Sequence, residues 1–165
     1  MKKNDFLIVS PIIKEKRILF IGDFNWISNK DALNWLLEDI WPYLQRQNDI
    51  RKQNFKLWIV GRHIPNKVKK LKDKSIIFTQ DIENAKDAFY KSFVLLAPLR
   101  VKGGTNLKIL ESMACGTPVI TTDLGNQGID AKPDKEILIA NTKEEMLNKL
   151  LLLSPSQKSV MVKIK

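Results

Sequence analysis

The sequence predicts an α/β domain built on a doubly wound parallel sheet of about six strands. Three observations carry that expectation. Short, solidly apolar runs recur along the chain, segments with helical spacing separate them, and glycine or a turn residue closes several of the runs. A strand that is apolar throughout is buried on both faces, and this is the condition of parallel strands covered by helices.

Residues 1–16 read as a leader or linker into the domain. Arg17 to Gly22 is a first strand ending in glycine, followed by a loop from Asp23 to Asn29. From Lys30 to about Gln47, Leu33, Leu36, Leu37, Ile40, Trp41 and Leu44 recur on one side of a helix. Pro42 falls inside that pattern and predicts a kink or break near Trp41. Lys56 to Gly61 is a second strand. Pro65 to Leu71 is a short helix with proline in its first turn. Ser75–Phe78 is a third strand, Ile82 to Lys91 a helix, and Phe93–Ala97 a fourth strand. Gly104 to Cys115 is a helix closed by Gly116, after which Thr117-Pro118 enters a fifth strand, Val119–Thr121. Ile137–Ile139 is the last strand. Thr142 caps a final helix that runs to about Leu153, with Glu145 three residues on to complete a capping box. The order is that of a Rossmann-like domain over residues 17–153, and residues 154–165 read as a basic tail.

A chain of 165 residues fits one such domain and can bury a substantial core. The hydrophobic fraction of 44% and a mean hydropathy of -0.21 suit a globular protein and exclude a disordered one. The net charge of +10 favours anionic partners: nucleotide diphosphates, nucleic acid or an anionic membrane surface. A lysine-rich surface without a specific partner is the plain alternative. The lone cysteine, Cys115, excludes an intrachain disulfide and fits a reducing compartment. One histidine and one cysteine rule out a rich soft-metal site. The apolar run near the N-terminus is too short for a signal peptide, and no segment reaches the roughly 18 apolar residues of a membrane span. A cytoplasmic protein, with a peripheral station at the inner membrane face as a further idea, is the corresponding expectation.

The segment Pro98 to Ile120 holds the chemistry. Two glycines, Gly103 and Gly104, let a ligand approach the backbone closely, and the helix behind them aims its unpaired N–H groups and positive dipole end at the same place. Arg100, Lys102 and Lys108 add formal charge. Glu111, two turns down and on the buried side of the helix, supplies a carboxylate that can accept hydrogen bonds from sugar hydroxyls. Lys108 and Glu111 could instead form a simple i,i+3 pair. His63 reads as an idle loop residue, Cys115 as packing at the helix end, and the lysines from Lys67 to Lys74 as a solvated face. Trp26, alone of the four tryptophans, lies in a loop where it could meet a ligand or another domain.

Gly103-Gly104-Thr105-Asn106-Leu107-Lys108-Ile109-Leu110-Glu111-Ser112-Met113-Ala114-Cys115-Gly116-Thr117-Pro118-Val119-Ile120 resembles the signature of the C-terminal, donor-binding domain of GT-B glycosyltransferases, in the retaining group called glycosyl transferases group 1. Gly22 with Asn29, Gly61-Arg62, and Asp123 to Gly128 are supporting matches, and the likeness extends over residues 17–153. The resemblance implies one half of a GT-B fold that binds a nucleotide-diphospho-sugar. Amides of the loop Gly103, Gly104, Thr105 and Asn106 would hold the diphosphate, the Glu111 carboxylate would bond the ribose, and Gly22 and Arg62 would line the donor site. Arg100 and Lys108 would stabilise the leaving group without a metal. Transfer would be retaining and would serve polysaccharide, lipopolysaccharide or glycolipid assembly.

The chain departs from the family pattern at Gly103, where many members carry a glutamate that contacts the donor sugar. It departs again after Gly22, where Asp23 stands in place of a basic residue. The resemblance also implies an acceptor domain, in cis or in trans, without which transfer is not expected. A noncatalytic or split-enzyme module that keeps the fold and needs such a partner is therefore the alternative function. No recognition motif supports specific nucleic-acid binding.

Overall fold

The computed structural model describes residues 16–103 and 106–153. Residues 1–15 of the expected leader, the expected tail over 154–165, and Gly104 and Thr105 of the glycine loop lie outside them.

Six parallel strands form one sheet in the order β3-β2-β1-β4-β5-β6. They are β1 (Arg17–Asp23), β2 (Lys56–Arg62), β3 (Ile76–Gln80), β4 (Val94–Ala97), β5 (Val119–Thr121) and β6 (Leu138–Ile139). The two central strands, β1 and β4, are deeply covered. Ile18, Leu19, Phe20, Val94, Leu95 and Ala97 are wholly inaccessible to solvent. The chain leaves β1 toward β2 on one side and later returns to place β4 on the other. The order in which the chain adds strands therefore reverses between β1 and β4, and such a reversal opens a crevice beyond the carboxyl ends of those two strands.

Helix α1 (Ile27–Trp35) follows β1 and continues through a π-helical turn (Leu36–Ile40) into α2 (Trp41–Gln45). The break expected at Pro42 is this turn. Proline has no N–H to give the preceding turn, and the wider π turn accommodates the loss without ending the helix. The helix also begins three residues earlier than its apolar spacing predicts. A short α3 (Asn48–Gln53), closed by Asn54 in the left-handed conformation, was not legible from periodicity. Helices α4 (Asn66–Lys69), α5 (Ala85–Tyr90), α6 (Leu107–Ala114), α7 (Asp123–Asn126) and α8 (Lys143–Leu152) complete the domain.

The loop between β4 and α6 is anchored from β5. Thr121 Oγ1 donates to the Ala97 carbonyl at 2.7 Å, and Thr122 Oγ1 donates to that of Leu99. Thr122 Oγ1 also accepts from Gly125 N and so caps α7. At the far end of α6, Gly116 takes φ +70 and Thr117 N donates to the Ser112 carbonyl, which closes the helix as expected. Thr142 caps α8 by accepting from Glu145 N at 3.1 Å. The reciprocal arm of that capping box is displaced by one residue, because Glu145 Oε2 accepts from Asn141 N rather than from Thr142 N.

Candidate functional site

The crevice at the β1/β4 reversal is built from the loop after β1, the start of α1, the loop after β4 and the start of α6. Two glycines let its floor close up. A Cβ on Gly61, whose φ is +146, would stand 1.7 Å from the Gly22 carbonyl oxygen. A Cβ on Gly22 would stand 2.7 Å from Asn29 Nδ2. β2, β1 and the first turn of α1 are thus in contact with no room for side chains between them. Gly103 approaches α1 in the same way, since a Cβ there would come within 2.9 Å of Ser28 Oγ.

Lys108 lies in the second position of α6 and reaches back across this seam. Its Nζ donates to Asn29 Oδ1 at 2.5 Å and sits 5.4 Å from the centre of the buried Phe20 ring. Burial pushes the ammonium down to about 8, because the charged form loses hydration that the seam does not replace. No carboxylate among the described residues pairs with it. Lys108 is therefore a cation held by a neutral oxygen.

Arg100 is placed differently. Its Nε and Nη2 donate to the two carboxylate oxygens of Asp31 at 3.1 and 3.0 Å, and its guanidinium lies 4.6 Å from the centre of the Trp35 ring. α1 thus holds Arg100 against its own face, with part of its charge compensated.

Helix α6 begins at Leu107, not at Gly104. Asn106 is its N-cap residue, but the Asn106 amide donates to the Gly125 carbonyl at 3.0 Å and leaves the first N–H groups without a side-chain cap. Glu111 is consequently little more than one turn from the helix start. It is exposed rather than on the buried side: Ile109 and Ser112 form the buried stripe, while Glu111 shares the outward face with Leu107 and Leu110. Among the described residues its carboxylate has no hydrogen-bond partner, and the i,i+3 contact with Lys108 is not made.

A cleft of 440 Å³ opens beside the seam at the carboxyl ends of β1, β2 and β3. Gly22, Asp23, Gly61, Arg62, Asp81 and Ile82 line it. Arg62 is exposed at its edge. His63, expected to be idle, accepts the left-handed conformation and brings Nδ1 to 2.9 Å from Asp23 Oδ1. The backbone N–H of Asn25, and after it the His63 side chain, hold the Asp23 carboxyl below the usual carboxylate range. A larger groove of 610 Å³ lies along β6 and α8, away from the reversal. Its two charged groups are already committed, Glu145 to the cap of α8 and Lys149 to Asp134 at 2.7 Å.

The structure thus brings Gly22, Gly103 and Lys108 to one seam, with Arg62 on the adjoining cleft, Asn106 turned toward Gly125, and Arg100 tied to α1. Asn29 and Asp31 were missed as site residues. Asn29 follows the first strand at a supporting match of the resemblance, which was the available signal; nothing local marks Asp31. Among the described residues there is no cluster of three metal-ligating side chains and no helix long and apolar enough to cross a membrane.

The fold is that of the Rossmann-like half of GT-B glycosyltransferases. The chain belongs to the glycosyl transferases group 1 family, whose model matches residues 15–154. Among solved structures it is similar to the C-terminal domain of LpcC, a group 1 family protein from Francisella tularensis. That match has 19% identity and a TM-score of 0.60 over 90% of this chain and 80% of that one. It is similar to HepE of Anabaena in complex with UDP and glucose, at 13% identity and a TM-score of 0.64, covering 93% of this chain and 42% of that one. TarM of S. aureus, in complex with UDP among other ligands, matches at 16% identity and a TM-score of 0.64, over 92% of this chain and 30% of that one. This chain therefore spans about a third to two fifths of the length of these larger structures. No curated protein sequence matches it.

Proposed function

We propose that this domain binds a nucleotide-diphospho-sugar in the β1/β4 crevice and serves a metal-independent, retaining glycosyl transfer. The observation that carries the reading is Lys108: a cation without a carboxylate partner among the described residues, at the strand reversal and the start of α6, which no side chain among them caps. A nucleoside diphosphate gains negative charge as it leaves a sugar, and a fixed cation in a poorly hydrated seam lowers that barrier more than a hydrated one would. The loop of Gly103, Gly104, Thr105 and Asn106 is assigned to the diphosphate, Glu111 to the ribose hydroxyls, and Gly22 and Arg62 to the wall of the adjoining cleft. Arg100 contributes through the N–H groups that Asp31 leaves over. The related folds solved with UDP, HepE and TarM, support a uridine nucleotide as the first ligand to try. An acceptor domain in cis or in trans completes the enzyme, and its product belongs to polysaccharide, lipopolysaccharide or glycolipid assembly.

Calorimetry and thermal shift with UDP, GDP and ADP, each with and without EDTA, test the reading. Binding of one of them, unaffected by EDTA and weakened at least tenfold by Lys108→Met and by Glu111→Ala, is expected. Failure of all three to bind would overturn it.

One observation favours a second reading, a noncatalytic interaction module. Trp26 and Ile27 stand 67% and 70% exposed at the start of α1, next to the crevice. Co-purification of an acceptor-domain partner, without nucleotide affinity on either side, would select that reading.

A further inference from the structure

Lys108 is a long, flexible side chain, yet its ammonium occupies one place. Asn29 accounts for this. It is 8% exposed, and among the described residues each end of its amide has one partner. Oδ1 accepts from Lys108 Nζ at 2.5 Å, and Nδ2 donates to the Asp23 carbonyl at 2.8 Å. The two ends cannot be exchanged, because a lysine ammonium only donates and a carbonyl only accepts. The amide cannot swing aside either. Gly22 lies against it so closely that a Cβ there would stand 2.9 Å from Asn29 Cγ, and Gly22 is itself confined by Gly61. Its backbone is fixed by the bond from Asn29 N to the Trp26 carbonyl at 3.1 Å.

From this geometry we infer that Asn29 is the positioning residue for Lys108, placing the cation in the crevice with an oxygen that does not neutralise it. An aspartate of the same shape could accept the same hydrogen bond but would cancel the charge, as Asp31 does in part for Arg100. The purpose of the arrangement rests on the donor-site reading above; the contact itself does not.

The test uses the whole chain. The first measurement follows the Lys108 side chain by NMR through a pH titration without ligand, with Lys108→Met to assign its signal. Asn29→Asp is expected to raise the Lys108 midpoint by at least one pH unit, since a carboxylate then faces the ammonium. An unchanged midpoint would overturn the inference. The second measurement is a double-mutant cycle on UDP affinity. Asn29→Leu is expected to weaken UDP at least tenfold in the wild-type background and to cost less than twofold once Lys108→Met is present. Equal losses in both backgrounds would show that Asn29 serves only the fold near Gly22 and would overturn the inference. If the wild-type chain binds no nucleotide, the donor reading fails by itself, and the titration alone decides the role of Asn29.

Discussion

Arg100 and Asp31 meet edge to edge, Nε on Oδ2 at 3.1 Å and Nη2 on Oδ1 at 3.0 Å, across 69 residues of sequence. The pair joins the loop after β4 to α1, and the Trp35 ring lies under the guanidinium. Both side chains are partly exposed, at 46% and 29%, so solvent screens the attraction and the pair is worth about 0.5–1 kcal/mol. Two outcomes follow for the two basic residues of the crevice. Arg100→Ala should lower nucleoside diphosphate affinity about threefold, against at least tenfold for Lys108→Met, since a paired charge has less to offer an anion. Asp31→Ala should leave affinity equal or greater, because it releases the guanidinium. Calorimetry on the three variants at one ionic strength checks the order.

Burial brings the Lys108 ammonium down to about 8, a range that an ordinary pH titration spans. An anionic ligand favours the protonated form, so affinity for UDP should hold up to about pH 7 and fall as pH rises through 8 and beyond. Lys108→Arg, whose guanidinium stays charged, should bind with little change up to pH 9. Affinity measured at half-unit steps from pH 6 to 9.5 distinguishes the two profiles.

The same group makes a prediction about stability. In the unfolded chain Lys108 keeps its proton to its ordinary value of 10.5, whereas the folded chain releases it near 8. Between those values the unfolded state binds more protons, so the contribution of this group to stability rises with pH across that window. At neutral pH the buried charge costs about 3 kcal/mol, and replacing it would leave Asn29 Oδ1 unpaired at about 2 kcal/mol, so Lys108→Met should stabilise by about 1 kcal/mol. The gain should disappear, and reverse, as pH approaches 10.5. Denaturant unfolding at pH 7 and pH 10 measures both ends.

Gly61 offers a purely steric test. A side chain there would overlap the Gly22 carbonyl, which is backbone and cannot turn away, and its φ of +146 is one that L-residues rarely adopt. Gly61→Ala should cost more than about 3 kcal/mol or prevent folding. Gly103→Ala meets one short side chain, Ser28, whose Oγ would stand 2.9 Å and whose Cβ would stand 3.2 Å from the added methyl. It should cost under about 1 kcal/mol and be relieved by Ser28→Gly. Chemical denaturation of the single variants, with Gly103→Ala repeated in the Ser28→Gly background, checks the contrast.

Strands were read from the sequence almost to the residue because burial on both faces writes an uninterrupted apolar run, as in Ile18–Ile21 and Leu57–Val60. Helix ends were read where the residue type announces them, as the Thr142 hydroxyl does for α8 and Gly116, with its positive φ, does for α6. The start of α6 was misplaced by three residues: the helix was expected from Gly104 but begins at Leu107, after an N-cap residue, Asn106, whose side chain bonds Gly125 and not the helix. Glu111 then falls on the outward face. Partnerships made across the fold left no local trace: Asp31 with Arg100, and Asn29 with Lys108, are 69 and 79 residues apart. A residue type and a spacing reveal which charges a segment carries, but not which of them a distant element will neutralise.

The π-helical turn at Leu36–Ile40 has a consequence for how this helix can change. An added residue advances an α-helix by about 100° of rotation, so the turn resets the phase of everything beyond it. Asn29 and Asp31 face the crevice from one end, while Ile40, Trp41 and Leu44 enter the core from the other. Asp39, within the turn, holds Lys143 at 2.6 Å and accepts from Trp35 Nε1 at 3.3 Å. Losing one residue there would leave each end intact and set them at the wrong angle to each other. The domain would have to choose between a sealed core and a crevice whose amide faces Lys108.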